Sequence, residues 1–300
     1  MVFFKKAVKR SYDLFSNYCH YVPGIGGMFM MLLLFLVGSI LGSILTVVLS
    51  LISPDFANIY GMMISYPVMF IPPMLYASSQ SRRNEAFENG YALDSSNFGQ
   101  NRWWVMVVAV MFSTTSLAFI CEPLMKVLPQ TPEWFEQIMN SILKNSPLWV
   151  TLISVSVFAP LFEEWLCRGI VLRGLLTKMN PAWAIVVSAA FFAVLHMNPW
   201  QALPAFILGV LFGYVYYKTG SLKLTMLMHF TNNTMSAIFS KIPQFEEAET
   251  FMDVMSPWAY GIVFTLSILI LAASLVIFRN IPLKGSAAGN CDEVESLRID

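Results

Sequence analysis

Eight long, predominantly apolar runs divide this 300-residue sequence, and they constrain its fold more than any other feature. An apolar helix needs about 20 residues to cross the hydrocarbon core of a bilayer, and each run is of that order. Because the core holds no water to satisfy the backbone, segments of this kind cross it as helices. The sequence therefore predicts an all-α, polytopic membrane helix bundle with about eight transmembrane helices. The predicted spans are 26–52, 58–77, 103–122, 148–172, 181–198, 202–217, 222–240 and 257–278.

The composition agrees with lipid as the main solvent. Hydrophobic residues make up 57% of the chain and charged residues 12%, which lies outside the usual range of soluble domains. The formal net charge is zero, and no basic stripe is interleaved with aromatic side chains. Nucleic-acid binding is therefore excluded from the predicted functions, and the lipid bilayer is the first predicted partner.

The Lys and Arg residues indicate the orientation, because cytoplasmic loops carry the excess of these residues. Of the 18 Lys and Arg residues, all but Lys126, Lys144 and Lys241 fall within the fourth span or on the side of the N-terminus. The predicted localisation is the cell membrane, as a multi-pass protein with both termini in the cytoplasm. The basic residues before the first span are Lys5, Lys6, Lys9 and Arg10.

The spans and loops divide the chain into four predicted regions. These are 1–147, with three transmembrane helices and polar loops; 148–240, the core with buried polar residues; 241–279, an outer loop and the last span; and 280–300, a mobile cytoplasmic tail. The outer loop is acidic, with Glu246, Glu247, Glu249 and Asp253. Two small-residue spacings, Gly38-x-x-x-Gly42 and Gly209-x-x-x-Gly213, predict places where helices approach closely.

Polar side chains inside the spans point to function. An ionisable group at the centre of a membrane helix costs about 3 kcal/mol on insertion scales, so each one needs a partner or a purpose. The polar groups are Glu163, Glu164 and Arg168 in the fourth span, His196 at the end of the fifth, and His229, Asn232 and Asn233 in the seventh.

Helical geometry predicts different roles for these groups. Glu164 and Arg168 are four residues apart and share a helix face, which is the spacing of a structural ion pair. Glu163 projects about 140° away from Arg168, so it remains available for chemistry. His229 and Asn233, also four residues apart, present an imidazole and a carboxamide on one stripe of the seventh span.

A carboxylate, two imidazoles and an amide from three helices suit hydrolysis of a peptide bond near or within the membrane. Glu163 would deprotonate a water as general base, and His196 would orient that water or pass the proton to the leaving amine. His229 and Asn233 would donate hydrogen bonds to the oxygen of the tetrahedral intermediate. The predicted partner is therefore a peptide or protein substrate.

A zinc-dependent hydrolysis is the alternative to this reaction. One carboxylate and two histidines, here Glu163, His196 and His229, also form the ligand set of a catalytic zinc site with an open position for water. Asn233 is a poor zinc ligand, and the usual pair of ligands closely spaced on one helix is missing. The prediction is therefore a reaction that requires no cofactor, with zinc as the alternative.

Three motifs, on the fourth, fifth and seventh predicted spans, resemble one family, the CPBP intramembrane proteases. The motifs are Glu163-Glu164-x-x-x-Arg168, Phe192-x-x-x-His196 and His229-x-x-x-Asn233. That family includes the CAAX prenyl endopeptidases and the bacterial Abi and bacteriocin-immunity relatives. The resemblance covers roughly 148–240 and identifies this region as a CPBP/Abi catalytic core.

The resemblance implies the same roles for the buried polar residues. Glu163 would activate water, His196 would help to bind it, and His229 and Asn233 would form the oxyanion site. Phe192, from the second motif, and Asn232 are expected to support these catalytic residues. Family members that cleave after a prenylated cysteine imply that the substrate could be prenylated or membrane-embedded. The family has also been labelled as metalloproteases.

Two functions from other classes compete with the peptidase. A non-catalytic membrane scaffold or bacteriocin self-immunity protein could keep the same residues without using them. A secondary transporter would also bury acids and histidines, but the sequence has no internal repeat and no paired interrupted helices. Cleavage of a peptide by the protein and by its Glu163→Ala variant distinguishes the enzyme from the scaffold, and vesicle uptake tests the transporter.

Overall fold

The computed structural model describes residues 15–86, 90–245, 248 and 250–283 of the chain. Every regular element in these ranges is a helix, so the predicted all-α membrane bundle is confirmed. Three predicted features lie outside the described residues: the basic N-terminus, the acidic positions Glu246, Glu247 and Glu249, and the tail beyond Leu283.

Each of the eight predicted spans corresponds to a helix. The helices are α1 (Ile25–Ile52), α2 (Pro54–Asn84), α3 (Trp103–Met125), the short α4 (Glu133–Asn140), α5 (Leu148–Leu176), α6 (Pro181–Leu195), α7 (Pro199–Thr219), α8 (Leu222–Phe239) and α9 (Pro257–Arg279). Among them, α1, α2, α3, α5, α7 and α9 are long and apolar enough to cross a membrane. The other two predicted spans are α6, with 15 residues, and α8, with 18 residues that include His229 and Asn233. The count of eight crossings therefore stays a prediction.

Capping residues followed by proline begin several helices of the core. Asn180 accepts from the backbone N–H of Ala182 and precedes Pro181 at the start of α6. Asn198 does the same for α7, where it accepts from Gln201 and precedes Pro199. Proline fits the first helical turn because the backbone N–H groups there have no intrahelical acceptor, so the N–H that proline lacks is not missed. The uncharged stretch that follows His196 forms the N-cap and the first turns of α7.

Loop contacts define the two ends of the bundle. At the end we call the basic end, formed by 91–102, 218–223 and 279–283, the backbone of Ser95 donates to Gly220 and Lys223 pairs with Asp94. At the opposite end, the Trp200 indole donates to the Pro129 carbonyl. Loops that the Lys and Arg count assigns to one side of the membrane thus meet at one end.

Both glycine spacings allow close contact between helices, as predicted. A Cβ added at Gly38 would lie 2.0 Å from the carbonyl oxygen of Met69 on α2, and one at Gly209 would lie 3.2 Å from the Cβ of Ala189 on α6. The helix at the centre is α5, whose 18-residue apolar window has the largest buried share of the six long helices, 56%. The polar residues of α5 are therefore enclosed by other helices.

Candidate active site

The two acids of α5 lie on a short α-helical segment, Ala159–Glu164, between two π-helical stretches. The π-helical turns cover Leu152–Phe158 and Trp165–Leu172. Pro160 has no backbone N–H to donate, so the regular hydrogen-bond ladder is interrupted here. Wide turns of this kind occur often at functional sites, because they turn side chains out of regular helical register.

Glu164 and Arg168 form a fully buried ion pair. The Arg168 Nη1 donates to Glu164 Oε1 over 2.7 Å, and neither side chain is exposed. The Arg168 Nη2 donates to the Gly209 carbonyl on α7 over 3.1 Å. The guanidinium also lies 4.5 Å from the ring centroid of Phe192, a cation–π distance. Groups on α5, α6 and α7 thus contact the charged side chains of this pair.

His229 joins the pair through the same carboxylate oxygen. Its Nδ1 lies 3.0 Å from Glu164 Oε1. An ionised carboxylate can only accept, so Nδ1 carries a hydrogen. The other ring nitrogen, Nε2, is then an acceptor in the neutral ring and a donor only in the doubly protonated ring. The predicted role of His229 at an oxyanion therefore requires the imidazolium form.

His196 is the residue that follows α6, and its tautomer also follows from its partner. Its Nδ1 lies 2.9 Å from the Phe192 carbonyl oxygen, which can only accept. Nε2 of the neutral ring is therefore the atom that can accept a hydrogen bond from water. The Phe192 ring meets the His196 ring edge-on at 5.1 Å and the His229 ring at 5.5 Å. Phe192 thus packs against both imidazoles.

Asn233 lies one turn along α8 from His229 and is held at both ends of its amide. Its Nδ2 donates to the Val155 carbonyl on α5 over 2.7 Å. Its Oδ1 accepts from Asn232 Nδ2 over 3.1 Å. Since a carboxamide has two N–H groups, one remains for another acceptor.

Asn232 faces a different part of the molecule from the other predicted residues. It lines a cavity of about 320 Å³ between α3, α8 and α9, together with Glu122 and Phe251. Its supporting contribution to the site is the hydrogen bond to Asn233.

Glu163 contacts α2, a helix on which no site residue was predicted. The hydroxyl of Tyr66 donates to Glu163 Oε1. The other carboxylate oxygen, Oε2, is buried, and no donor among the described residues reaches it. A tyrosine inside an apolar span is easily taken for packing. The signal that could have identified it is its distance from the span ends, where membrane tyrosines usually lie.

The structure thus places the predicted residues in two groups. Arg168, His196 and His229 contact the Phe192 ring. Glu164 binds both Arg168 and His229. Glu163, on the same short helical segment as Glu164, pairs with Tyr66. Within the described ranges no hydrogen bond joins Glu163 to either imidazole, so any link between the groups would require a bridging molecule.

The described residues show no closely grouped set of zinc ligands. Nowhere in the described part of the chain do three His, Cys, Asp or Glu side chains group closely enough to hold a metal ion. Nδ1 of His229 and Nδ1 of His196 are both engaged by oxygen acceptors, and Glu163 Oε1 is engaged by Tyr66. Nε2 of each ring and Glu163 Oε2 are the atoms left for a metal, so zinc as the alternative stays a prediction.

The fold and the site together define a class: multi-pass helical membrane proteins with a buried site of carboxylate, imidazole and amide groups. Residues 145–235 match the family model described as type II CAAX prenyl endopeptidase Rce1-like. The resemblance to the CPBP intramembrane proteases is thereby confirmed for this segment, which supports an intramembrane protease at family level. The Abi relationship and the metalloprotease label receive no support from the match. No curated protein and no solved structure matches the chain.

Proposed function

We propose that this protein is an intramembrane endopeptidase that hydrolyses a peptide bond with water activated by Glu163. One observation carries the proposal: Glu163 has one oxygen held by Tyr66 and a second, buried oxygen with no donor among the described residues. A buried carboxylate oxygen is costly without a hydrogen bond. A bound water would supply that bond and would be in place for deprotonation.

The proposed reaction uses both groups of residues. Glu163 Oε2 accepts one proton of the water while His196 Nε2 accepts a hydrogen bond from the other. The hydroxide attacks the peptide carbonyl carbon, and the carbonyl π electrons move to its oxygen. The free N–H of Asn233 and the doubly protonated His229 ring donate to this oxygen. The proton on Glu163 then passes to the leaving nitrogen as the C–N bond breaks.

The usual size of these contributions predicts how much of the catalytic rate each variant should lose. A positioned general base contributes typically about 10²–10⁴-fold to the rate. A single oxyanion donor contributes about 3 kcal/mol, which is roughly a hundredfold in rate. Loss of Glu163 should therefore abolish measurable turnover, while loss of Asn233 should leave a weak residual activity.

The substrate we propose is a peptide or protein, prenylated or embedded in the membrane. The family description names a prenyl endopeptidase, which motivates the choice of a prenylated probe. We further propose that the protein resides in the cell membrane with both termini in the cytoplasm, as the Lys and Arg distribution indicates. No cofactor takes part in the proposed reaction.

The test uses the purified full-length protein and an internally quenched peptide that ends in a farnesylated cysteine and three further residues. We expect cleavage by the wild type and none by Glu163→Gln. Glu133→Gln, which removes an exposed carboxylate from α4, is the matched control and should retain full activity. A folded wild-type protein that cleaves neither this peptide nor its unprenylated counterpart would instead support the non-catalytic scaffold.

Removal of metal tests the absence of a cofactor. We expect the rate of the wild type to be unchanged, within about twofold, after treatment with EDTA or 1,10-phenanthroline. The geometric reason is that no three His, Cys, Asp or Glu side chains of the described residues group closely enough to hold a metal ion. Loss of activity on chelation, with recovery on addition of Zn²⁺, would contradict the metal-free reaction.

A further inference from the structure

Tyr66 connects the site to α2, a helix outside the segment that matches the family model. Its side chain is buried and its hydroxyl donates to Glu163 Oε1. Tyr66 and Glu163 are 97 residues apart in the sequence. The contact therefore depends on the way α2 packs against α5.

Aromatic packing fixes the position of the Tyr66 ring. The ring lies 5.7 Å from that of Phe70, which is itself fully buried one turn further along α2. Phe70 stacks on Phe162 of α5 with ring centroids 5.2 Å apart and planes 18° apart. Phe162 immediately precedes Glu163. The same column of rings thus places both the donor and the acceptor of the hydrogen bond.

The hydrogen bond makes the two oxygens of Glu163 different. A phenol has a single O–H to donate, and here it is directed at Oε1. An ionised carboxylate that is free to rotate presents either oxygen to a water. With Oε1 held, the carboxylate presents Oε2, the oxygen that no donor of the described chain reaches. Orientation of a reacting group in this way contributes to rate without contact with the substrate.

We propose that Tyr66 is a positioning residue for the peptidase reaction, which holds the Glu163 carboxylate in the rotamer that directs Oε2 at the attacking water. This inference rests on the proposed function. It extends the functional unit beyond 145–235, since α2 supplies a group that the reaction needs. The hairpin of α1 and α2 is then part of the active-site machinery.

The experiment compares Tyr66→Phe with the wild type on the farnesylated quenched peptide. The phenylalanine keeps the ring that packs on Phe70 and removes only the hydroxyl. We expect kcat to fall about tenfold to a hundredfold with KM changed less than about twofold, because orientation of the base acts on the chemical step. Tyr60→Phe removes a hydroxyl from the same helix, where the ring contacts Phe56 and Trp149, and should leave kcat unchanged.

The outcomes separate this inference from the proposed function. Wild-type cleavage that Glu163→Gln abolishes, together with an unchanged kcat in Tyr66→Phe, would overturn the role of Tyr66 and leave the peptidase intact. A drop in kcat that Tyr60→Phe reproduces, or that accompanies a lower thermal unfolding temperature, would indicate general loosening of α2 and also overturn it. If no cleavage depends on Glu163, both proposals fail.

Discussion

At the residue scale, Glu164 does more than neutralise Arg168. Its Oε1 accepts from Arg168 Nη1 and lies 3.0 Å from His229 Nδ1, so one carboxylate oxygen contacts groups on α5 and α8. The sequence pattern indicated the pair with Arg168 from their spacing. It did not indicate His229, since a histidine on another helix can reach either acid depending on how the two helices are rotated.

Glu164→Gln should destabilise the protein strongly. The amide keeps the volume but removes the charge, which leaves the Arg168 guanidinium buried without an anion. Removal of one partner of a buried ion pair costs about 3–5 kcal/mol. Thermal unfolding in detergent should show a clear loss of stability for this variant and a much smaller one for Glu163→Gln. Equal stability of Glu164→Gln and wild type would contradict the importance of the pair.

Arg173 is the second buried arginine of α5, and all of its N–H groups are used. Its Nε donates to the Gly169 carbonyl within the helix. The two terminal nitrogens donate to the backbone carbonyls of Tyr18, Cys19, Tyr21 and Tyr91. A guanidinium has five donors in a planar fork, which matches this set of carbonyls. Arg173 thus ties the segment before α1 and the loop before α3 to the central helix.

Arg173→Lys should loosen these two segments although it keeps the charge. A lysine has three donors and no fork, so at least two of the five carbonyls lose their partner, at about 1–3 kcal/mol for each buried group. We expect faster hydrogen exchange and faster proteolysis at residues 15–24. Arg82→Lys, at an exposed position of α2, is the control and should match the wild type. Equal protection of residues 15–24 in both variants would contradict this role.

At the scale of elements, the contact between α1 and α2 determines where Tyr66 lies. Gly38 allows the α1 backbone to approach the Met69 carbonyl, and Gly42 lies close to the Ser65 carbonyl. Ser65 and Met69 flank Tyr66 on its helix. Close packing of α1 therefore supports the part of α2 that contacts Glu163.

Gly38→Ala should lower both stability and activity. The added Cβ would lie 2.0 Å from the Met69 carbonyl oxygen, so the two helices must separate. Overpacking of this kind costs typically about 1–3 kcal/mol. Gly26→Ala, where nothing lies within 4 Å of an added Cβ, is the matched control in the same helix. Thermal unfolding and peptide cleavage should separate the two variants, and equal behaviour would contradict the close contact.

The elements themselves were largely predictable from the sequence, and their contacts only in part. Runs of apolar residues predicted the eight long helices. Capping residues followed by proline, such as Asn198 with Pro199, mark where helices begin. The turn between α6 and α7 was not predicted. It is short because Met197 adopts a left-handed conformation, with φ 53°, between His196 and the cap of α7. Apolar patterning does not specify such a turn, nor which helix Tyr66 faces.

At the scale of the whole molecule, a second cavity lies at the end opposite the basic end, and hydroxyl side chains form much of its lining. It has a volume of about 270 Å³ between α1, α2 and α5. Its lining includes Asn58, Ser65, Ser146 and Thr151, and Ser65 immediately precedes Tyr66. If the basic end faces the cytoplasm, this cavity opens on the outer side of the membrane.

Labelling of single cysteines tests this orientation. Gln100 and Gln130 are exposed, the first at the basic end and the second in the loop beside Pro129 at the opposite end. In a background with the four native cysteines replaced by serine, we expect an impermeant maleimide to label Gln130→Cys on intact cells. Gln100→Cys should label only after permeabilisation, because the excess of Lys and Arg keeps its loop in the cytoplasm. Both variants should label equally in detergent. The reverse pattern on intact cells would place the basic end outside the cell, and the cavity lined by Ser65 would then lie on the cytoplasmic side.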